Sequence, residues 1–302
     1  MAPSQAKIRI ALDWTPNTIH TGLYIAKDTG IYDEHGLDVE LLPPGREYSK
    51  TPAKRLEDGE VDLAICPSES CIAYQHSNKM QLCAVYAILQ RDASAIVSTS
   101  LDNFSKLGEG KTYGSYNARY EDAIVKAMVK HDGGDAEGVK ISQQQGKFGL
   151  FEAMQKGEVD ATWVFMPWEG IEAEMNGVKL HAFRPGDYGI PYGYSPVIAY
   201  NAASGNLDED VLRKFVAATR AGYQQVMGDA DHAVQVLQRH CDPQRSVDFL
   251  RESQKFINEH YSDGSTLGAM SRQKWQSWIE WLERQGLLDG ANVDVGKLFI
   301  EI

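Results

Sequence analysis

Several features are missing from this chain, and each absence removes a class of function. No apolar run reaches the roughly 20 residues that a helix needs to span a bilayer. Positive charge is scarce: 30 Lys and Arg stand against 42 Asp and Glu, a formal net charge of −12. That balance argues against nucleic acid or an anionic membrane as a partner. Cys66, Cys71, Cys83 and Cys241 form no C-x-x-C pair and have no histidine at ligand spacing. Free, partly buried thiols in a reducing compartment are expected rather than a zinc site. The catalytic signatures G-x-S-x-G, H-E-x-x-H, the phosphate-binding Walker loop and G-x-G-x-x-G do not occur. No two of the eight histidines lie four apart on one helical face, so no metal is expected. The residues from Met1 to Lys7 have neither the basic start nor the apolar core of an export leader. A cytoplasmic location is therefore favoured, with a periplasmic or extracellular one if a leader has been removed.

What is present has the rhythm of an α/β protein. A length of 302 residues suits two lobes better than one core. The stretch Gly59-Glu60-Val61-Asp62-Leu63-Ala64-Ile65-Cys66-Pro67-Ser68-Glu69-Ser70 has a counterpart in Gly157-Glu158-Val159-Asp160-Ala161-Thr162-Trp163-Val164-Phe165-Met166-Pro167-Trp168-Glu169-Gly170. In both, a helical segment closes on glycine, an apolar strand comes next, and a turn holding proline and glutamate leads back into helix. Open α/β sheets bind ligands beyond the carboxyl ends of their strands, so two such units suggest two lobes facing a shared cleft. Further strands are expected at 8–12, 37–42, 81–89, 95–99, 111–116, 139–142, 179–183 and 196–200. Helices are expected at 19–29, 68–77, 120–130 and 148–156, with a helical connection at 101–107. The last third reads as helices at 208–227, 230–239, 243–258 and 271–285.

Aromatic and carboxylate groups collect at the expected strand ends: Trp14 and Asn17 after the first strand, Glu69 after the third. Tyr116 opens the second half, Trp168 and Glu169 come after the second G-E-V-D strand, and Asp187 and Tyr188 begin a tyrosine-rich run. Flat aromatic faces with a few fixed hydrogen-bonding groups suit a planar heterocycle. Trp163 and Phe165 are expected to be core residues. The run Ser115-Tyr116-Asn117-Ala118-Arg119-Tyr120 precedes a helix, and its amides with Arg119 are equally readable as an anion site or as a solvated turn.

The stretches Asp13-Trp14-Thr15-Pro16-Asn17-Thr18-Ile19-His20-Thr21-Gly22, Gly36-Leu37-Asp38-Val39, His131-Asp132-Gly133-Gly134-Asp135, 163–174 and Asp187-Tyr188-Gly189-Ile190-Pro191 carry a family resemblance. The chain resembles the pyrimidine-binding group of ABC-transporter solute-binding proteins. That group holds bacterial formylaminopyrimidine-binding proteins and is related to fungal hydroxymethylpyrimidine phosphate synthases. The resemblance covers roughly residues 7 to 200 and is nearest the bacterial binding branch. It implies a periplasmic-binding-protein fold, two lobes closing on a ligand cleft through a hinge near 91–95 and 189–195. The lobes would be 1–92 with 194–302, carrying the C-terminal helices, and 93–193. It also implies Trp14 stacking on the ligand, with Asn17, Glu69, Trp168 and Glu169 nearby.

The departures from the synthase pattern are specific. The synthases use a histidine as substrate and a lysine that binds pyridoxal phosphate in the loop after the first G-x-V-D strand. Here that loop reads Cys66-Pro67-Ser68-Glu69-Ser70. The synthases' cysteine-rich run and glycine-bracketed phosphate loop are also missing. The reading is therefore reversible binding of a small planar heterocycle, a thiamine-related aminopyrimidine, with no cofactor and no catalytic residue. An ABC-transporter permease would be the partner if the protein is exported. Two alternatives stay open: an intracellular enzyme of thiamine-pyrimidine or vitamin B6 chemistry, using pyridoxal phosphate, and a cytoplasmic ligand carrier or sensor.

Overall fold

A computed structural model describes residues 5–45, 47–143, 149–288 and 293–302. The chain divides into two compact units, Met1–Asp92 with Gly193–Gln276 and Gly290–Ile302, and Ala93–Tyr192 with Ser277–Asp289. The first unit opens with strand β1 (Ala6–Ala11), helices α1 (Thr21–Asp28) and α2 (Ile31–Glu34), β2 (Leu37–Leu42), α3 (Pro52–Glu57), β3 (Leu63–Cys66), α4 (Ser68–His76) and β4 (Leu82–Ala87). The second holds β5 (Ser94–Ser98), β6 (Thr112–Ser115), α5 (Glu121–His131), β7 (Lys140–Gln143), α6 (Leu150–Gln155), β8 (Ala161–Phe165), α7 (Ile171–Met175) and β9 (His181–Phe183). The chain then completes the first unit with β10 (Val197–Asn201), α8 (Glu209–Gly228), α9 (Ala230–Gln238) and α10 (Val247–Asn258), and ends its helical part with α11 (Arg272–Arg284).

Each unit is built on a five-stranded mixed sheet, ordered β2-β1-β3-β10-β4 in the first and β7-β6-β8-β5-β9 in the second. The two orders correspond position by position. In each, three parallel strands adjoin an antiparallel pair, and a G-E-V-D strand, β3 or β8, sits centrally between them. The sequence pattern shows the strands but not their order, because pairing between distant segments leaves no local signal.

The repeated aspartate explains itself here. In the first unit the Arg9 amide donates to Asp62 Oδ2 (2.9 Å) and the Asp62 amide donates back to the Arg9 carbonyl (2.9 Å). In the second, the Thr112 amide donates to Asp160 Oδ2 (2.8 Å) and the Asp160 amide to the Thr112 carbonyl (2.7 Å). Each aspartate thus ties the start of the central strand to its parallel neighbour, just before the first paired residues, Ile10 with Leu63 and Tyr113 with Ala161. The preceding glycines, Gly59 and Gly157, have φ of 73° and 75° and end their helices in the left-handed region, which glycine adopts without a Cβ clash. The Arg9 guanidinium adds a two-pronged contact to Asp62 at 2.9 and 3.0 Å. Burial pushes the Asp62 carboxyl up, but the hydrogen bonds from Arg9 outweigh it and hold the group below its ordinary value.

The C-terminal helices belong to the first unit through α8, α9 and α10. Helix α8 meets α1 at Gly22 and Gly222, where a Cβ on Gly222 would lie 2.2 Å from the Gly22 carbonyl oxygen. Around this crossing the tail braces the segment after β1. The Tyr223 and Tyr261 hydroxyls donate to the Ile19 and Thr18 carbonyls, both at 2.5 Å, and the Thr18 and Ser253 hydroxyls pair at 2.7 Å. Ser277–Asp289 differs from the sequence-based lobes, which left it with the first; it groups with the second unit, where Trp278 meets Tyr192 edge-on at 5.3 Å. An aromatic helix face reads the same in sequence whichever unit it covers.

Other differences are small. The expected connection at 101–107 is a short 3-10 turn, Phe104–Gly108, and the expected helix start at Phe148 lies outside the described residues. All four cysteines are free and buried. Among the described residues, no helix is long and apolar enough to cross a membrane.

Replacing Asp62 or Asp160 with alanine orphans a backbone amide at a sheet centre, and each change is expected to lower unfolding stability by about 1–3 kcal/mol. Chemical denaturation of both alanine and asparagine variants checks this. Asparagine keeps one acceptor and should cost less.

Candidate functional site

The residues singled out by sequence fall into two groups, one in each unit. In the first unit they sit beyond β1 and β3. The turn after β1 is closed by its own polar groups. Asn17 Oδ1 accepts from the Ile19 amide (3.0 Å) and Asn17 Nδ2 donates to the Thr15 carbonyl (3.1 Å). The Asn17 amide donates to His20 Nδ1 (3.2 Å), and His20 Nε2 meets Asp13 Oδ1 at 2.8 Å. A backbone amide can only donate, so Nδ1 is the acceptor and Nε2 carries the hydrogen given to Asp13. Asn17 and His20 are both buried and hold the turn. Trp14 is half-buried on this frame, its ring tilted 50° to that of Tyr48 with centroids 5.8 Å apart. Tyr48, at a left-handed φ of 42°, donates its hydroxyl to the Asp13 carbonyl (2.6 Å). Sequence reading passed over Tyr48 because it lies just past the Pro43-Pro44-Gly45 break, where no periodicity marks a partner.

Glu69 is the second residue of α4 and is buried. Pro67 precedes the helix and offers no capping side chain, so Glu69 is the acidic group of the first turn, where the helix dipole favours a negative charge. Ser68 is fully buried beside it. Its amide donates to the Tyr194 carbonyl (2.9 Å), while its Oγ has no hydrogen-bond partner among the described residues. A serine that opens a helix normally reads as a cap, which hid it from sequence reasoning.

In the second unit, β8 runs into the turn Met166–Gly170, where Trp168 is buried and Glu169 Oε2 accepts the Phe165 amide at 3.1 Å. Burial pushes the Glu169 carboxyl up to about 7, against the opposing hydrogen bonds from its own and the Phe165 amide. Tyr116 is drawn to the same place: burial raises its phenol first, and the Glu169 charge raises it next. Trp163 and Phe165 are not core residues. Strand side chains alternate, and on β8 it is Val164 that joins the core of Ala95, Val97, Phe151 and Met154, leaving Trp163 and Phe165 half-buried on the other face. The Trp163 ring lies 5.6 Å from that of Tyr192, at a 48° tilt.

The remaining candidates part company with this group. Arg119 is exposed. The amides of its loop, expected as a possible anion holder, are already engaged: Tyr116 and Ala118 donate to Glu121 (3.1 and 2.8 Å) and Asn117 to Ser115 Oγ (3.0 Å). Asp187 is exposed, and Tyr188 packs on Phe104 (5.7 Å) and edge-on to His131 (5.6 Å). Glu121 carried no sequence signal beyond being an acidic residue at a helix start.

Fold and site together can be set beside known proteins. The family described as NMT1/THI5 like matches residues 17–233. The chain belongs to that family. It is 25% identical over 292 residues to a formylaminopyrimidine-binding protein of Halalkalibacterium halodurans, covering 93% of this chain and 86% of that protein. Among solved structures it is similar to the alkanesulfonate-binding protein SsuA from Xanthomonas axonopodis pv. citri, bound to MOPS (TM-score 0.75, 13% identity, 99% of each chain). It is also similar to a Candida albicans protein of the generic periplasmic binding protein structural fold (TM-score 0.66, 16% identity, 97% of this chain and 96% of that one). The NMT1/THI5-like chain therefore has the periplasmic-binding-protein fold.

Glu169 makes stability depend on pH. Its folded carboxyl titrates near 7 against an ordinary 4.5, so between those values the unfolded chain binds fewer protons and stability falls as pH rises. Over that window the loss amounts to about 3 kcal/mol, complete above the folded value and absent below the ordinary one. Thermal unfolding between pH 4.5 and 8 should show Glu169→Gln flattening this part of the profile.

Proposed function

We propose that this NMT1/THI5-like protein binds a small planar heterocycle reversibly, and that the ligand is a thiamine-related aminopyrimidine. The observation that carries the reading is the match along 93% of the chain to a protein named for binding formylaminopyrimidine. The site residues support it chemically. Trp14 with Tyr48 in one unit, and Trp163 with Tyr192 in the other, offer aromatic surface of the kind that takes a flat ring. Glu69 is a buried and Glu169 a half-buried carboxylate at strand ends, suited to a ring amine that donates hydrogen bonds. A carboxyl poised near neutrality has a further use: it accepts when ionised and donates when protonated, matching either face of an aminopyrimidine.

Binding, rather than turnover, is the reading. His20, the imidazole nearest to Trp14 in sequence, is fully buried with both nitrogens engaged. No cofactor enters the scheme. The natural partner is the permease of an ABC-type importer, which places the working protein outside the cytoplasm rather than in the cytoplasmic location that its first residues suggested.

A thermal-shift series with hydroxymethyl aminopyrimidine, formylaminopyrimidine, thiamine and pyridoxal phosphate tests the proposal. A ligand at 100 times its Kd stabilises by about 2.7 kcal/mol. The aminopyrimidines should raise Tm, and Trp14→Ala and Glu69→Ala should each weaken the rise. No shift with any aminopyrimidine at millimolar concentration would end the proposal, and unchanged shifts in both variants would remove those residues from the site.

A further inference from the structure

The loop between β6 and α5 has the donors of an anion-binding turn, and it already holds an anion of its own. The Tyr116 amide and the Tyr113 hydroxyl donate to Glu121 Oε1 at 3.1 and 2.7 Å, and the Ala118 amide donates to Oε2 at 2.8 Å. Glu121 is 3% exposed. Three donors converging on both its oxygens favour the charged carboxylate, against burial, which pushes its carboxyl above the ordinary value. The amide between them, Asn117, donates to Ser115 Oγ (3.0 Å), which hands its own hydrogen to Asp122 Oδ1 (2.7 Å).

The backbone is bent to make this fit. Asn117 and Tyr120 hold left-handed φ values of 54° and 62°, each costing a residue with a Cβ about 1–2 kcal/mol. Glu121 and Asp122 also open α5, an 11-residue helix whose first turn favours negative charge. The same loop lies beside the site described above: β6 and β8 are parallel neighbours, so the loop after β6 and the turn holding Glu169 leave the same edge of the sheet.

We propose that Glu121 is a specificity-determining residue: its carboxylate fills the amides that would otherwise receive a phosphate or sulfonate, so this chain accepts the unphosphorylated heterocycle and rejects its phosphate ester. The proposal rests on the heterocycle-binding reading above. An incoming anion must displace a tethered carboxylate, whose local concentration no free ligand matches. It must also approach Asp122, a second carboxylate held by the same loop. Like charges brought together without a partner cost several kcal/mol.

The test compares wild type, Glu121→Gln and Glu121→Ala by calorimetry with hydroxymethyl aminopyrimidine and with its phosphate ester. A parallel thermal-shift arm compares inorganic sulfate with chloride at equal ionic strength. Wild type should prefer the alcohol by about 100-fold or more, the size expected of uncompensated like-charge contact, and should show no sulfate-specific shift. Loss of the carboxylate should shrink that preference at least tenfold and bring a sulfate-dependent rise in Tm, which a purely structural role would not produce. Equal binding of alcohol and ester by wild type overturns the proposal, as does the absence of any sulfate gain in folded variants. If Glu121→Ala does not fold, the isosteric Glu121→Gln decides; if neither folds, the wild-type preference decides. Should wild type bind neither pyrimidine, the heterocycle reading fails, while the sulfate arm still judges the role of Glu121.

Discussion

Everything near the candidate residues depends on where the two central strands begin, and one aspartate in each unit sets that point. Asp62 and Asp160 exchange hydrogen bonds with the backbone of Arg9 and Thr112. Slippage of β3 or β8 by one residue would turn every side chain to the opposite face. In β8 that would bury Trp163 and Phe165 and expel Val164 from the core it shares with Val97 and Met154. The clamps fix the strand starts, the short strands fix their ends, and the ends place the turns that hold Glu69 and Glu169. The repeated G-E-V-D motif is a register device, and the residues proposed for binding lie in the turns at the far ends of the two strands.

The two turns use one residue type in different electrostatic settings. Glu69 sits in the first turn of a nine-residue helix, where backbone dipoles favour its charge. Glu169 occupies a buried bend with little to offset desolvation beyond the amides of Phe165 and of its own residue, and burial dominates its titration. Glu121 differs again: three donors meet it, and it serves the loop rather than the solvent. The contrast separates a carboxylate in the first turn of a helix, one whose titration burial moves up to about 7, and one taken up by its own loop.

The helical tail also acts on the site region. Tyr223, Tyr261 and Ser253 reach the carbonyls and hydroxyl of Thr18 and Ile19, and the Cys241 thiol meets the Pro16 carbonyl at 3.6 Å. The turn carrying Trp14 is therefore held from outside by residues more than two hundred positions away, as well as from within by Asn17 and His20.

Local pattern was enough to reveal most strands, the glycine-ended helices, the α/β class and the family, because each rests on spacing or on contiguous residues. It also brought Trp14, Glu69, Trp168 and Glu169 forward as strand-end groups. Features beyond its reach were set by partners distant in the chain: the antiparallel insertion of β10 between β3 and β4, the half-buried placement of Trp163 and Phe165 away from the core face, the pairing of Tyr48 with Trp14, and the grouping of Ser277–Asp289 with the second unit. The loop at 115–120 shows the division most clearly. Its sequence offers amides and an arginine to an anion, but whether those amides are available depends on the hydrogen bonds made by one buried glutamate. Composition and periodicity report what a segment can do, and only the folded chain decides which of its donors are already taken.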